Sequence, residues 1–178
     1  MYSLFNEFVE IESSKYLLRR IVHTDSKDIF EMYGDADVMK FNLEHKINSV
    51  DETKKLIDII HTGFENKWFI RWGVIEKNTN KYIGDLALHH FNEKENKVQI
   101  GYMSKKPYWN KGIMSEVSQL LIDYINKNTS IQIIEASIYP ENIASIKLAK
   151  KLGFQFKGFL EDKATQNKSR VIYSKKLK

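Results

Sequence analysis

Apolar and polar positions change period several times along this chain, and one such change organises the rest. Val98, Ile100 and Tyr102 alternate with Gln99, Gly101 and Met103, the period-two pattern of a strand. Pro107 ends that ladder, because proline has no N–H to donate. From Gly112 the period becomes helical. Met114, Val117, Leu120, Leu121, Tyr124 and Ile125 recur at spacings of three and four, which lays one apolar stripe along a long helix.

The same reading runs along the whole sequence. Residues 1–13 form a leader without a readable element, and Tyr16 to Val22 (YLLRRIV) read as a first strand. Thr24 or Asp25 can cap a helix carrying Ile29, Phe30 and Tyr33 on one face. Ser49 and Glu52 have capping-box spacing and open a second helix with Val50, Leu56, Ile57 and Ile60. Trp68 to Ile75 (WFIRWGVI) and Tyr82 to Phe91 (YIGDLALHHF) read as strands, with turns at Asn78–Lys81 and Asn92–Asn96. With the organising strand they make a three-stranded antiparallel meander. A strand from Ile133 to Tyr139, a helix capped by Asn142 and closed by Gly153, and a last strand near Arg170 to Leu177 complete the order. Strands and helices in this order predict a mixed α/β (α+β) fold, with a central, mostly antiparallel sheet flanked by helices.

Composition narrows the class. One domain over residues 1–178 is expected at this length, which can bury a core without staples. There is no cysteine, which excludes a disulfide framework, a thiolate nucleophile and thiolate metal ligands. The five histidines show no metal-ligand spacing, and no metal is expected. No apolar run approaches the roughly 18 residues of a membrane span. Glu7, Glu10 and Glu12 interrupt the start as no signal peptide would be interrupted, so a cytoplasmic location is expected. The net charge of +5 reflects dispersed lysines. A nucleic-acid binder would need a clustered basic face with aromatic readers, and none is expected here.

The strand-to-helix junction carries the first candidate chemistry. The opening turn of a helix leaves backbone N–H groups unpaired, and with the positive end of the helix dipole they favour an anion. Gly112, lacking Cβ, lets a ligand approach that backbone; Lys111 adds a cation, and Lys105 and Lys106 lie just upstream. The bland alternative is a turn with solvated lysines.

YWNKGIMSE resembles the acyl-coenzyme A binding motif of the GNAT N-acetyltransferases, and more narrowly the branch that acetylates ribosomal-protein N-termini. Of the broad pattern's fixed positions only Gly112 matches, but aromatic-x-Lys-Gly-Ile-Met is a variant of the narrower branch. Asn110 stands where that variant usually has glycine, and asparagine tolerates left-handed backbone. IEASIYPENIASIKLAKKLGF is similar to the family's following strand and helix, with Asn142, Ser145, Leu152, Gly153 and Phe154 on its marks. The resemblance runs from about Tyr16 to Leu177 and is weakest over the first dozen residues and around Glu44 to Trp68, part of the acceptor wall.

The resemblance implies the GNAT acyl-CoA N-acyltransferase fold and acetyl-CoA as co-substrate. It places the co-substrate against Ile100, Gly101, Tyr102, Met103, Trp109, Asn110, Lys111, Gly112, Ile113, Met114, Ser115, Asn142 and Ser145. The sheet is expected to splay beside Gly101 to Met103. An acceptor amine, on this resemblance a ribosomal-protein N-terminus, would attack the thioester directly, and a homodimer is the family's habit. Ser145 matches the serine assigned to the leaving thiolate, and Tyr173 reads first as packing. The branch commonly has glutamate as base where this chain has Gln99. An amide takes no proton at neutral pH but can hold a water or an amine. An α-amine, with pKa near 8, is partly neutral already. His89 and His90 are the replacement bases, since histidine titrates in range. Neighbours in a strand face opposite sides, so one of the two points at the cleft, and the sequence leaves open which.

Two other classes stay in view. A small-molecule acetyltransferase, acting on a polyamine, amino acid or aminoglycoside, would share the co-substrate site; a polyamine acceptor would need carboxylates, which Glu31, Asp35, Asp37 and Glu44 can supply. A non-catalytic acyl-CoA-binding module is suggested by Gln99.

Overall fold

The alternating segments pair into one eight-stranded sheet. The computed structural model describes residues 2–42, 47–161 and 169–178. Its strands are β1 (Ile11–Glu12), β2 (Tyr16–Arg20), β3 (Ile70–Glu76), β4 (Lys81–Asn92), β5 (Lys97–Ser104), β6 (Ile133–Ile138), β7 (Gln155–Glu161) and β8 (Ser169–Lys176). Their order across the sheet is β1-β2-β3-β4-β5-β6-β8-β7. Every neighbouring pair is antiparallel except β5 and β6. The predicted meander is β3-β4-β5.

Helices cover both faces. Helices α1 (Ser26–Gly34), α2 (Ala36–Met39) and α3 (Val50–Glu65) belong to one face, where Ile29, Met32, Tyr33, Ile57 and Ile60 pack with Ile21, Ile75 and Tyr82. Helices α4 (Ile113–Asn128) and α5 (Ile143–Lys151) belong to the other, where Val117, Leu121, Ile125 and Ala149 pack with Val98, Ile100, Ile134 and Tyr173. Tyr173 is thus a packing residue, 6% exposed.

The caps follow the side chains with one adjustment. Ser49 Oγ accepts from Glu52 N at 3.1 Å, while the Glu52 carboxylate accepts from Asn48 N at 2.8 Å, so the reciprocal half of the box lands one residue upstream. Asp25 precedes α1 without capping it; its carboxylate is taken by Val22 N and by a two-pronged contact with Arg19. Asn142 caps α5, accepting from Ser145 N at 3.2 Å.

Two elements depart from the sequence reading. The leader is packed: Leu4 and Phe5 are buried, β1 pairs with β2, and Trp72 Nε1 donates to Val9 O at 2.8 Å. Its apolar residues are interrupted by Glu7, Glu10 and Glu12, too closely for any period to show. Strand β7 was also unpredicted. It is an edge strand whose register shifts between Phe156 and Gly158, and Phe156 and Phe159 remain exposed, so its alternation is broken.

Candidate active site

The pairing of β5 with β6 lasts three residues: Lys97 with Ile133, Val98 with Ile134 and Gln99 with Glu135. Beyond Gln99 both strands continue, β5 against β4 as far as Ser104 and β6 against β8 as far as Ile138. From Ile100 onward, then, the β6-facing edge of β5 has no strand partner. This is the expected splay, and it leaves main-chain groups of Gly101 to Met103 open to a ligand. Tyr102 Oη donates across the opening to the carbonyl of Ser145 at 3.1 Å. Burial pushes the Tyr102 phenol up to about 12, so it is a firm donor at neutral pH.

Past the splay the chain turns into α4. Trp109 Nε1 holds the turn by donating to Ser104 O at 2.9 Å. Asn110 and Gly112 both adopt left-handed backbone, with φ of 58° and 76°. A Cβ on Gly112 would meet nothing within 4 Å, so the position is open to an approaching group. Gly112 is the N-cap of α4 and supplies no side-chain cap; the first intrahelical bond is Glu116 N to Gly112 O. The N–H groups of Ile113, Met114 and Ser115 therefore lack the acceptor that Ser, Thr or Asp would bring. Lys111 stays at this turn, its Nζ 5.6 Å from the Tyr108 ring centre. Lys105 and Lys106 do not. Lys105 Nζ donates to Asp28 and, at 3.2 Å, to Glu31; Lys106 pairs with Asp37. They tie the loop to α1 and α2.

Beside the opening, on the α1/α3 face of the sheet, lies a second set of residues. In-register partners share a face, so His89, Gln99 and Glu135 form one row and Arg71, Ala87 and Gly101 the next. A Cβ on Gly101 would sit 3.3 Å from His89 Nε2, so the imidazole leans over the bare backbone of Gly101. Burial, then His90, Arg71 and Arg170, push the His89 imidazole down to about 4, and it is neutral near pH 7. The expectation that His89 and His90 face opposite ways is corrected. The register of β4 shifts between His89 and Asn92, His90 takes a φ of 52°, and the two Nδ1 atoms lie 2.5 Å apart. A bulge, which adds a residue to one strand, breaks the alternation. Both rings line an open cavity of about 420 Å³ with Lys67, Trp68, Phe69 and Phe91.

Two charged residues of this face escaped the sequence reading. Glu135 is 4% exposed and lies 2.6 Å from Lys157 Nζ and 3.5 Å from Lys97 Nζ. Arg71 donates from Nη1 to Tyr33 Oη at 2.7 Å. Each is a lone charge inside an otherwise apolar strand, and that was the available signal. Asp85 accepts from Tyr82 Oη at 3.1 Å, and its burial raises the carboxyl pKa against the opposing pull of Arg71.

Comparison with known proteins settles the family. The model of the acetyltransferase (GNAT) domain matches residues 15–155. The chain belongs to the GNAT acetyltransferase family. It is an acetyl-CoA-dependent N-acetyltransferase. Among relatives, it is 28% identical over 160 residues to the uncharacterised N-acetyltransferase YoaA of Bacillus subtilis, covering 90% of each chain. A GNAT-family acetyltransferase from Bacillus anthracis superposes with a TM-score of 0.82 at 23% identity, over 94% of this chain and 98% of that one. RimL, a ribosomal L7/L12 α-N-protein acetyltransferase solved with coenzyme A, superposes with a TM-score of 0.82 at 16% identity, over 95% and 98%. At those identities the two structural likenesses are likenesses of fold. The GNAT acetyltransferase domain thus includes the splay, the Gly112 turn and the Asn142 cap, all within the matched span.

Proposed function

We propose that this acetyltransferase modifies the α-amine of a protein N-terminus, of the ribosomal-protein type, by direct attack within a ternary complex. The observation that carries the reading is the opening after Gln99, bounded on one lip by the unpaired edge of β5 and at its end by the uncapped start of α4. The residues fit acetyl-CoA. The N–H groups of Ile113, Met114 and Ser115, with Lys111 beside them, would hold the pyrophosphate, and Gly112 leaves room for it. The edge from Ile100 to Met103 would hydrogen-bond the pantetheine, and Asn142 and Ser145 border it from α5. Acetyl-CoA supplies the thioester acyl group; the chain orients the amine and handles protons.

Gln99 cannot remove a proton, and neutral His89 has little basicity, so the acceptor is best delivered already neutral. An N-terminal α-amine meets that condition more readily than a lysine or polyamine amine, since its pKa is about 8 rather than about 10. Gln99 and His89 then position the amine or a water, and main-chain donors of β5 serve the developing oxyanion. Ser145 would donate to the leaving thiolate. The polyamine reading is weakened: Glu31 and Asp37 are engaged by Lys105 and Lys106, Asp35 caps α2 by accepting from Asp37 N and Val38 N, and Glu44 lies outside the described residues.

Calorimetric titration with acetyl-CoA, followed by a screen of peptide N-termini and small amines, tests the proposal. Micromolar binding that is lost in Gly112→Trp, with turnover of peptide α-amines, is the expected result. Binding with no turnover of any amine would instead favour a non-catalytic acyl-CoA-binding module.

A further inference from the structure

We infer that Arg71 anchors a carboxylate carried by the acceptor, so that the amine acetylated has an acidic group close to it. This rests on the transferase reading above and adds the class of acceptor.

The position comes first. Arg71 is the β3 member of the row Arg71–Ala87–Gly101. Strands lie about 4.8 Å apart, so the Gly101 backbone, at the splayed edge, is roughly 10 Å from that of Arg71. Between them Ala87 contributes one methyl group and Gly101 no side chain, and the His89 imidazole lies over Gly101. His89 and Gln99 occupy the adjacent row.

The guanidinium itself is half satisfied. Nη1 donates to Tyr33 Oη at 2.7 Å, and Tyr33 is held in the core under α1. Nε is buried and has no hydrogen-bond partner. Among the described residues nothing accepts from Nη2 either. Nη1 is the nitrogen cis to Cδ, so Nε–H and Nη2–H lie along the same edge and form the fork that meets a carboxylate with two parallel bonds. Arg19, in the neighbouring strand, shows the contrast: both its Nη atoms are spent on the Asp25 carboxylate at 2.8 Å.

The surrounding carboxylates act on the guanidinium only through space and leave its fork without a bonded partner. Arg71 forms no ion pair among the described residues. Asp85, the carboxyl nearest in register, is occupied by Tyr82 Oη. Asp28, Glu31 and Asp37 are held by Lys105 and Lys106. A cation fixed by Tyr33, with an unpaired bidentate edge in register with the small residues Ala87 and Gly101 of the reaction edge, suits an amine and a carboxylate separated by a few bonds. Two sources carry that chemistry: an acidic side chain in the first residues of a peptide, or the α-carboxylate of a free amino acid.

The test uses matched acceptors with the full chain and acetyl-CoA, each corrected for its fraction of free amine. One pair is a tripeptide amide beginning with Asp against the same peptide beginning with Asn; the other is glycine against glycinamide. The carboxylate member of one pair should be favoured about tenfold or more in kcat/KM, through KM. Preference in the first pair assigns a peptide, and preference in the second a free amino acid. Arg71→Lys and Arg71→Met should abolish the preference while acetyl-CoA affinity is kept. Equal use of acid and amide in both pairs, or a preference that survives Arg71→Met, overturns the inference and leaves the transferase reading standing. A turnover-free arm separates the two failures. The CoA-loaded protein is titrated with the four acetylated products. Binding confined to the carboxylates, without turnover, sinks the transferase reading alone; equal or absent binding of all four overturns the role of Arg71.

Discussion

Tyr102 Oη reaches from the unpaired end of β5 to the carbonyl of Ser145, in the first turn of α5, at 3.1 Å. It is a side-chain tie across the part of the opening where main-chain pairing has stopped. Tyr102→Phe removes this one part-buried hydrogen bond. The expected loss is about 1 kcal/mol. For a chain of this size that lowers the melting temperature by roughly 2–4 °C. Melts with and without acetyl-CoA check it, and the ligand-bound difference should be larger if the opening widens.

At Gly112 the conformation, rather than space, is the constraint. A Cβ there meets nothing within 4 Å, but φ is 76°. Gly112→Ala should destabilise by about 1–2 kcal/mol through left-handed strain alone. Gly112→Asn, which tolerates that region, should lose less stability, while both weaken acetyl-CoA binding. Paired denaturation and calorimetry separate the effects.

His89 gives a pH dependence with a definite sign. Its pKa falls from an ordinary 6.5 to about 4 in the folded chain. Between those values the unfolded state binds a proton that the folded state refuses, so stability is full above pH 6.5 and is lost as pH falls toward 4. His89→Asn should flatten the melting temperature across that window. A wild-type curve with no slope there would contradict the buried, neutral imidazole.

Replacing Gln99 by glutamate restores a proton acceptor in register with His89 on one side and Glu135 on the other. Proximity to the Glu135 carboxylate should raise the pKa of the new acid, which suits a base. Gln99→Glu should therefore accelerate acetylation of alkylamines of high pKa by about tenfold or more, and that of α-amines much less. Steady-state rates against a series of amines of graded pKa would read this.

The Arg19–Asp25 pair holds the entry to α1. Asp25 also accepts from Val22 N at 2.9 Å. Asp25→Ala strands a part-buried guanidinium and an amide, and should cost about 3 kcal/mol. Chemical denaturation is the check.

Much of this was legible in the sequence where period and turn chemistry agreed. The meander, the long α4, the Asn142 cap and the open Gly112 turn follow from alternation, helical spacing and backbone tolerance. Arg71 and Glu135 did not declare themselves, because alternation says which face a strand residue takes and nothing of which neighbours share its row. The contact of His89 with His90 depends on one left-handed residue, and His90 is not a residue type that announces a bulge. Lys105 and Lys106 looked like phosphate ligands because their partners are some 70 positions away in sequence, at 77 and 69 residues.

Those same two lysines have a thermodynamic consequence. They join the acid-bearing helices α1 and α2, on the face where the acceptor would lie, to the loop that leads into the Gly112 turn. A displacement of either helix is resisted by charges rooted beside the coenzyme end. By linkage, any free energy that one ligand spends on these ion pairs must be returned in the affinity of the other. The loop is thus a shared strut, through which the two substrates of the reaction would sense each other in addition to their direct contact.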